Sequence, residues 1–177
     1  ITHSQYDHVG GMDDVRPFCT FGDINVYSDP VSEKSLRQSL PYCFKEHLYP
    51  GVPKISLHTI HPHEELQINE LKIVPLRIMH DKLPILGFKI GKLAYITDMK
   101  TIPEEELDFL QDIDCLVVNA LRFTNAHHSH MLVDEALAFA RRTSAKRVFF
   151  THMCHDIGLH EEVNKILPAG THLAYDG

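Results

Sequence analysis

The sequence predicts an α/β (α+β) fold, a sheet with helices packed on it. Short apolar runs of strand character recur along the chain. Paired runs joined by tight turns come first, and strand–helix alternation follows. A hydrophobic content of 44% over 177 residues suits one domain with a real core.

Taken in order, Ile1-Thr2 reads as the end of a strand. The double glycine Gly10-Gly11 then lets the backbone turn sharply into a helix. Met12–Phe18 fits one helical turn ended near Pro17. Ile24–Ser28 reads as a short strand. Asp29-Pro30 fits a helix start, with Asp as N-cap and Pro at the first helical position, and the helix runs to about Leu40. Pro41–Pro53 is rich in Pro, Gly and aromatics and reads as an irregular surface loop. Ile55–Ile60 alternates as a strand does.

Leu66–Ile68 and Leu71–Met79 predict two strands about a turn at Asn69-Glu70. Leu86–Ile90 and Leu93–Thr97 predict a hairpin about Gly91. Thr101 with Glu104 resembles a capping box that opens a helix over 103–111. Cys115–Val118 and Arg147–Thr151 are continuous apolar runs, hence buried strands. Leu132–Arg142 carries Leu132, Val133, Ala136, Leu137 and Ala140 on one helical face. Leu159–Leu167 reads as an amphipathic helix and Thr171–Tyr175 as a last strand.

The charge balance excludes some classes. Net charge is −7 with no basic run, so nucleic acid is not favoured as a partner. No apolar stretch is long enough to span a membrane. Four cysteines (Cys19, Cys43, Cys115, Cys154) without CxxC spacing suit a reducing compartment, and a cytoplasmic location is expected. Fourteen histidines are the outlier.

Their placement carries the chemistry. His3, Asp7 and His8 crowd into Ile1-Thr2-His3-Ser4-Gln5-Tyr6-Asp7-His8. Imidazole and carboxylate are the donors that hold zinc, manganese or iron. Further along, the run ending at Met79 is followed by His80, the run ending at Thr97 by Asp98, and the run ending at Thr151 by His152. Functional groups gather where strands end in α/β sheets. If these strands are neighbours, His3, Asp7, His8, His80, Asp98 and His152 surround one point, enough for two metals sharing one carboxylate. Any one of these histidines alone would read as an ordinary satisfied polar residue.

His3-x-Gln5-x-Asp7-His8-x-Gly10 resembles the His-x-His-x-Asp-His signature of the metallo-β-lactamase superfamily of metal-dependent hydrolases. His80, Asp98 in its Ile-Thr-Asp context and His152 in its Thr-His context follow in that family's order and at its usual intervals. Within the superfamily the chain is most similar to the phosphonate-pathway cyclic-phosphate phosphodiesterases. The residues behind this are Asp13-Asp14-Val15-Arg16-Pro17-Phe18, the histidine cluster at 127–130, Thr151-His152-Met153-Cys154-His155 and the closing Tyr175-Asp176-Gly177.

The resemblance implies an αββα sandwich whose N-terminal β-rich half is absent here, so residues 1–177 are expected to form a partial, N-terminally truncated hydrolase domain. It implies that a homo-oligomer covers the face so exposed. It also implies two divalent ions, zinc or manganese, with iron as the third candidate. One would be held by His3, Gln5, His80 and Asp98, the other by Asp7, His8, Asp98 and His152. Gln5 departs from the signature histidine, and its neutral amide is expected to weaken the first ion or turn it to a harder metal. The implied reaction is cleavage of a small phosphodiester, cyclic or open, by a hydroxide bridging the metals.

His130 and Asp7 are the expected catalytic residues, with His130 assisting the leaving group, while His127 and His128 read as solvent residues. His155, Asp14 and Asp176 are expected to support the ligands or to contact substrate, and Asp13 shares the first of these roles. Arg16 and Arg122 read equally as phosphate contacts or as structural ion pairs. Two other readings stay open: a tRNA 3′-end endonuclease of the same superfamily, and a non-catalytic metal-binding domain.

Overall fold

The computed structural model describes residues 1–176. The chain divides into two compact units, Ile1–His61 and Pro62–Gly177.

The first unit holds a short helix α1 (Tyr6–Val9), a 3-10 segment (Gly10–Phe21), β1 (Ile24–Ser28), α2 (Pro30–Ser39), a 3-10 turn (Pro41–Phe44) and β2 (Ile55–Thr59). Strands β1 and β2 pair in parallel from Ile24↔Ile55 to Ser28↔Thr59. α2 starts as the sequence predicts. Pro30 sits in its first turn, and the Asp29 carboxylate accepts from the Ser32 backbone N–H at 3.0 Å. Two expectations fail here. Residues 1–5 are irregular, because β1 and β2 pair only with each other and no ladder reaches Ile1-Thr2. The single turn predicted at Met12–Phe18 is a twelve-residue 3-10 run that passes through Pro17, an unusual length for that helix type.

The second unit is built on a seven-stranded sheet in sequential order. Its strands are β3 (Leu66–Ile68), β4 (Leu71–His80), β5 (Leu83–Ile90), β6 (Leu93–Ile96), β7 (Cys115–Asn119), β8 (Arg147–Thr151) and β9 (Thr171–Leu173). The pairings from β3 to β6 are antiparallel and those from β6 to β9 parallel. Helices α3 (Val133–Ala140) and α4 (His160–Ile166) lie in the parallel half of the chain. Leu76, Ile78, Ile96, Leu116, Val118 and Phe150 form the sheet side of the core, and Val133, Ala136 and Phe139 of α3 join it. This is the mixed α/β architecture that the pattern of runs predicts.

Three boundaries move, for physical reasons. β5 begins at Leu83 rather than Leu86, with Pro84 inside it. The Met79 backbone N–H and C=O bond to residues 100–101 instead, so the Met79↔Pro84 pair needs no N–H from the proline. The predicted capping box at Thr101 does not form. Thr101 makes a β-bridge with Met79, and the segment behind it is a 3-10 helix (Glu104–Leu110) flanked by Pro103 without a side-chain cap. His80, expected just beyond its strand, is the last residue of β4.

Candidate metal and phosphate centre

In the second unit the centre is built on Asp98. Alternation along β4 puts His80 on the same buried face as Leu76 and Ile78. β6 ends at Ile96, and Asp98 follows in a left-handed conformation (φ 57°) that turns the chain out of the sheet. The next residue is clamped by Asn119, the last residue of β7. Its side chain accepts from Met99 N–H at 2.8 Å and donates to Met99 C=O at 3.0 Å. β8 ends at Thr151, and His152 again takes a left-handed conformation (φ 54°). Two of the predicted ligands therefore occupy backbone positions that non-glycine residues rarely adopt, a feature that gathers at functional sites.

Three imidazoles gather at Asp98, two of them on its carboxylate. His152 Nε2 lies 2.9 Å and His130 Nε2 3.1 Å from Asp98 Oδ1. Thr97 Oγ donates to Oδ2 at 2.6 Å. His80 donates from Nδ1 to the Asp98 backbone carbonyl at 2.8 Å, which makes Nε2 the unprotonated nitrogen of the neutral ring. The rings of His80 and His130, and of His130 and His152, have centroids 4.8 Å apart. Burial of Asp98 works against its charge, but the hydrogen bonds from His130, His152 and Thr97 outweigh it and hold the carboxyl well below the usual carboxylate range. The site thus keeps an anionic carboxylate beside imidazole nitrogens, the donor chemistry a divalent transition metal takes.

His130 is carried by the loop after β7, closed at its base by Leu121 N–H to Met131 C=O and Val133 N–H to Arg122 C=O. Arg122 braces the loop from inside, donating to the carbonyls of Thr124 and Asn125, with Asp156 3.7 Å away. Of the two readings left open for Arg122, its contacts match the structural one. Lys100 braces the loop from outside through the His130 carbonyl at 3.2 Å and the Glu135 carboxylate at 2.8 Å.

The first unit brings together its own donors. Asp7 and His8 sit in α1, with His8 Nε2 3.3 Å from Asp7 Oδ2. The rings of His3 and His8 are 4.3 Å apart. His3 Nδ1 lies 3.1 Å from Thr2 Oγ. Gln5 precedes α1; its carbonyl accepts from His8 N–H at 2.9 Å and its side chain is exposed.

The supporting residues fare unevenly. Asp13 pairs with Arg16 at 2.5 Å and accepts from Tyr42 at 2.8 Å, so the ion-pair reading of Arg16 matches its contacts. His155 has a side chain 94% exposed beside Asp156, apart from the Asp98 cluster. Asp14 and Asp176 are both exposed. Sequence reasoning missed Asn119, Thr97, Ser129 and Lys100. It also left His127 as a solvent residue, although its Nδ1 lies 3.1 Å from His130 Nδ1. The spacing of three between the two histidines was the available signal.

With this geometry in view, the comparisons with known proteins are direct. The family model for the beta-lactamase superfamily domain matches residues 1–153. The chain belongs to this family of metal-dependent hydrolases, and its solved relatives place it near the PhnP type. It is 34% identical to a diphosphatase from the PhnP family, with a TM-score of 0.89 over 99% of this chain and 66% of that one. It is 39% identical over its whole length to an octanoyltransferase of Porphyromonas gingivalis, of which it spans 36%. Human tRNase Z, short form, shares 16% identity at a TM-score of 0.70, covering 99% of this chain and 75% of that one, and shows the shared fold. Among the described residues no helix is long and apolar enough to cross a membrane.

Proposed function

We propose that this chain is a phosphodiesterase that uses two divalent ions to cleave a small phosphodiester, cyclic or open. The observation that carries the reading is the convergence of three imidazoles on Asp98, His130 and His152 on its carboxylate and His80 on its backbone carbonyl. In this reading one ion takes His3, Gln5, His80 and Asp98, and the other takes Asp7, His8, Asp98 and His152. Family membership, the order of these residues and the donor pairs within each unit support that assignment. When bound, such ions supply a water activated near neutral pH and neutralise charge on the phosphoryl oxygens.

The protein's own groups do the rest. His80 is held in one tautomer by the Asp98 carbonyl. Asp98 stays ionised. His130 presents Nε2 beside that carboxylate, where it can give a proton to the leaving oxygen. Asp7, beside His8, is the second residue assigned to catalysis. Net charge is −7, which favours a small phosphodiester over a polynucleotide. The 34% identity to a diphosphatase favours a second reading on the same centre, cleavage of a diphosphate linkage.

The test is hydrolysis of bis(p-nitrophenyl) phosphate and of a dinucleoside diphosphate with added manganese or zinc, with bound metal counted. Turnover is expected to need metal. His130→Ala is expected to lose about 10²–10⁴-fold on the phosphodiester while keeping both ions. Gln5→His is expected to bind the weaker ion about tenfold more tightly, since imidazole replaces a neutral amide. Preference for the dinucleoside diphosphate selects the second reading. No turnover by any version with either metal leaves a metal-binding domain.

A further inference from the structure

His130 is not an isolated imidazole. Its Nδ1 lies 3.1 Å from His127 Nδ1 and 3.1 Å from Ser129 Oγ. Ser129 Oγ in turn lies 3.2 Å from His127 Nδ1, and the Ser129 backbone N–H points at that same nitrogen at 3.4 Å. A backbone N–H can only donate. His127 Nδ1 is therefore an acceptor, and the proton of a neutral His127 sits on its Nε2. His130 Nδ1 then carries a hydrogen, given to His127 directly or through the Ser129 hydroxyl. On the other side, His130 Nε2 faces Asp98 Oδ1, which also only accepts.

We propose that His127, assisted by Ser129, is a positioning residue for His130. Its Nδ1 accepts the hydrogen on His130 Nδ1 and fixes the ring, so that when His130 is the doubly protonated imidazolium its Nε2–H is the proton aimed at the reaction centre. The inference rests on the role assigned above to His130. In the step, the bond from phosphorus to the leaving oxygen breaks and its electron pair stays on that oxygen. The oxygen takes the proton from Nε2 of the His130 imidazolium, which becomes the neutral ring and keeps the Nδ1 hydrogen shared with His127. The orienting acceptor of a hydrolytic triad acts the same way on its histidine. Burial, and then the neighbouring His130, His128, Arg122 and His80, hold the His127 pKa below the usual histidine value. Both effects favour the uncharged form, which can accept.

The arrangement is local. His127 and His130 are three residues apart on a loop whose base is closed by Leu121–Met131 and Arg122–Val133 backbone bonds. Ser129 is buried between them at 5% exposure. His127 and His128 rings are 4.6 Å apart, but His128 is exposed and makes no hydrogen bond to His130 among the described residues. His128 therefore serves as the control.

The experiment compares His127→Phe, His127→Asn and His128→Phe on aryl phosphodiesters running from p-nitrophenyl to phenyl leaving groups. His127→Phe keeps the ring and removes the acceptor; His127→Asn restores an acceptor oxygen. His127→Phe is expected to lower kcat about tenfold for the phenyl ester, a part of the full general-acid effect, with KM unchanged and little loss for the p-nitrophenyl ester. His127→Asn recovers most of that loss, and His128→Phe stays within twofold. Nitrogen-15 spectra of the full chain, with zinc and after chelation, are expected to show the His130 Nδ1 proton in the parent and not in His127→Phe. Equal loss on both esters, no rescue by Asn, or an unchanged Nδ1 signal overturns the relationship while the phosphodiesterase reading stands. A parent protein inactive on every ester overturns that reading, and this inference falls with it.

Discussion

Asp98 and His152 meet at 2.9 Å, carboxylate oxygen to Nε2, and each adopts a left-handed backbone at the end of a neighbouring segment of the sheet. β6 and β8 both flank β7, so two separate strand ends deliver an anion and an imidazole to one place. The turn that ends each strand also aims the side chain.

That backbone conformation gives a stability test. A left-handed residue costs L-amino acids with a Cβ more than it costs glycine. After chelation of metal, His152→Gly is expected to unfold at higher urea than His152→Ala, by about 1 kcal/mol, while both lack the imidazole. Urea titration of the two variants measures it. An alanine variant as stable as the glycine variant would show that the site relaxes out of this conformation.

Asn119 gives a second. Its side chain is fully buried and satisfies both backbone groups of Met99, the residue after Asp98. Asn119→Ala leaves both unmade and is expected to cost about 2–4 kcal/mol. Asn119→Asp keeps an acceptor for Met99 N–H but turns a carboxylate towards Met99 C=O, so it too is expected to destabilise. Both variants are expected to bind metal more weakly, read by urea midpoints and by metal titration.

The brace behind His130 responds to pH. Burial of Glu135 works against its charge, but Lys100 and the Leu132 backbone N–H outweigh it and hold the carboxyl below the ordinary value of 4.5. A carboxyl depressed by folding contributes stability above its unfolded pKa and loses it as pH falls through the folded one. The difference in urea stability between the parent and Glu135→Gln should be full above pH 4.5 and should shrink on further acidification. The pair is half exposed, so the full difference is about 0.5–1 kcal/mol. A difference that grows with acid would contradict the assignment.

Much of this centre was legible in the sequence. Apolar runs that stop at His80, Asp98 and His152 revealed the strand ends, because each strand turns a face of apolar side chains into the core. The turn at Asn69-Glu70 was legible as well, since Asn69 tolerates the left-handed backbone it adopts there (φ 52°). Pro84 hid the start of β5, because a proline argues against a strand unless its partner needs no N–H. Thr101 looked like a cap because nothing local reveals its long-range bridge to Met79. Asn119 read as the polar end of an apolar run, and its grip on Met99 depends on β6 and β7 lying side by side. His127 passed for a solvent residue because its partner is set by loop geometry.

The most direct measurement counts bound metal and turnover together in the parent and in Asp98→Asn, which keeps the shape and removes the charge. The account predicts two divalent ions per chain and metal-dependent hydrolysis of bis(p-nitrophenyl) phosphate in the parent. In Asp98→Asn it predicts fewer ions and a rate lower by about 10³-fold or more. Hydrolysis by Asp98→Asn at the parent rate, or by the parent stripped of metal, would contradict it.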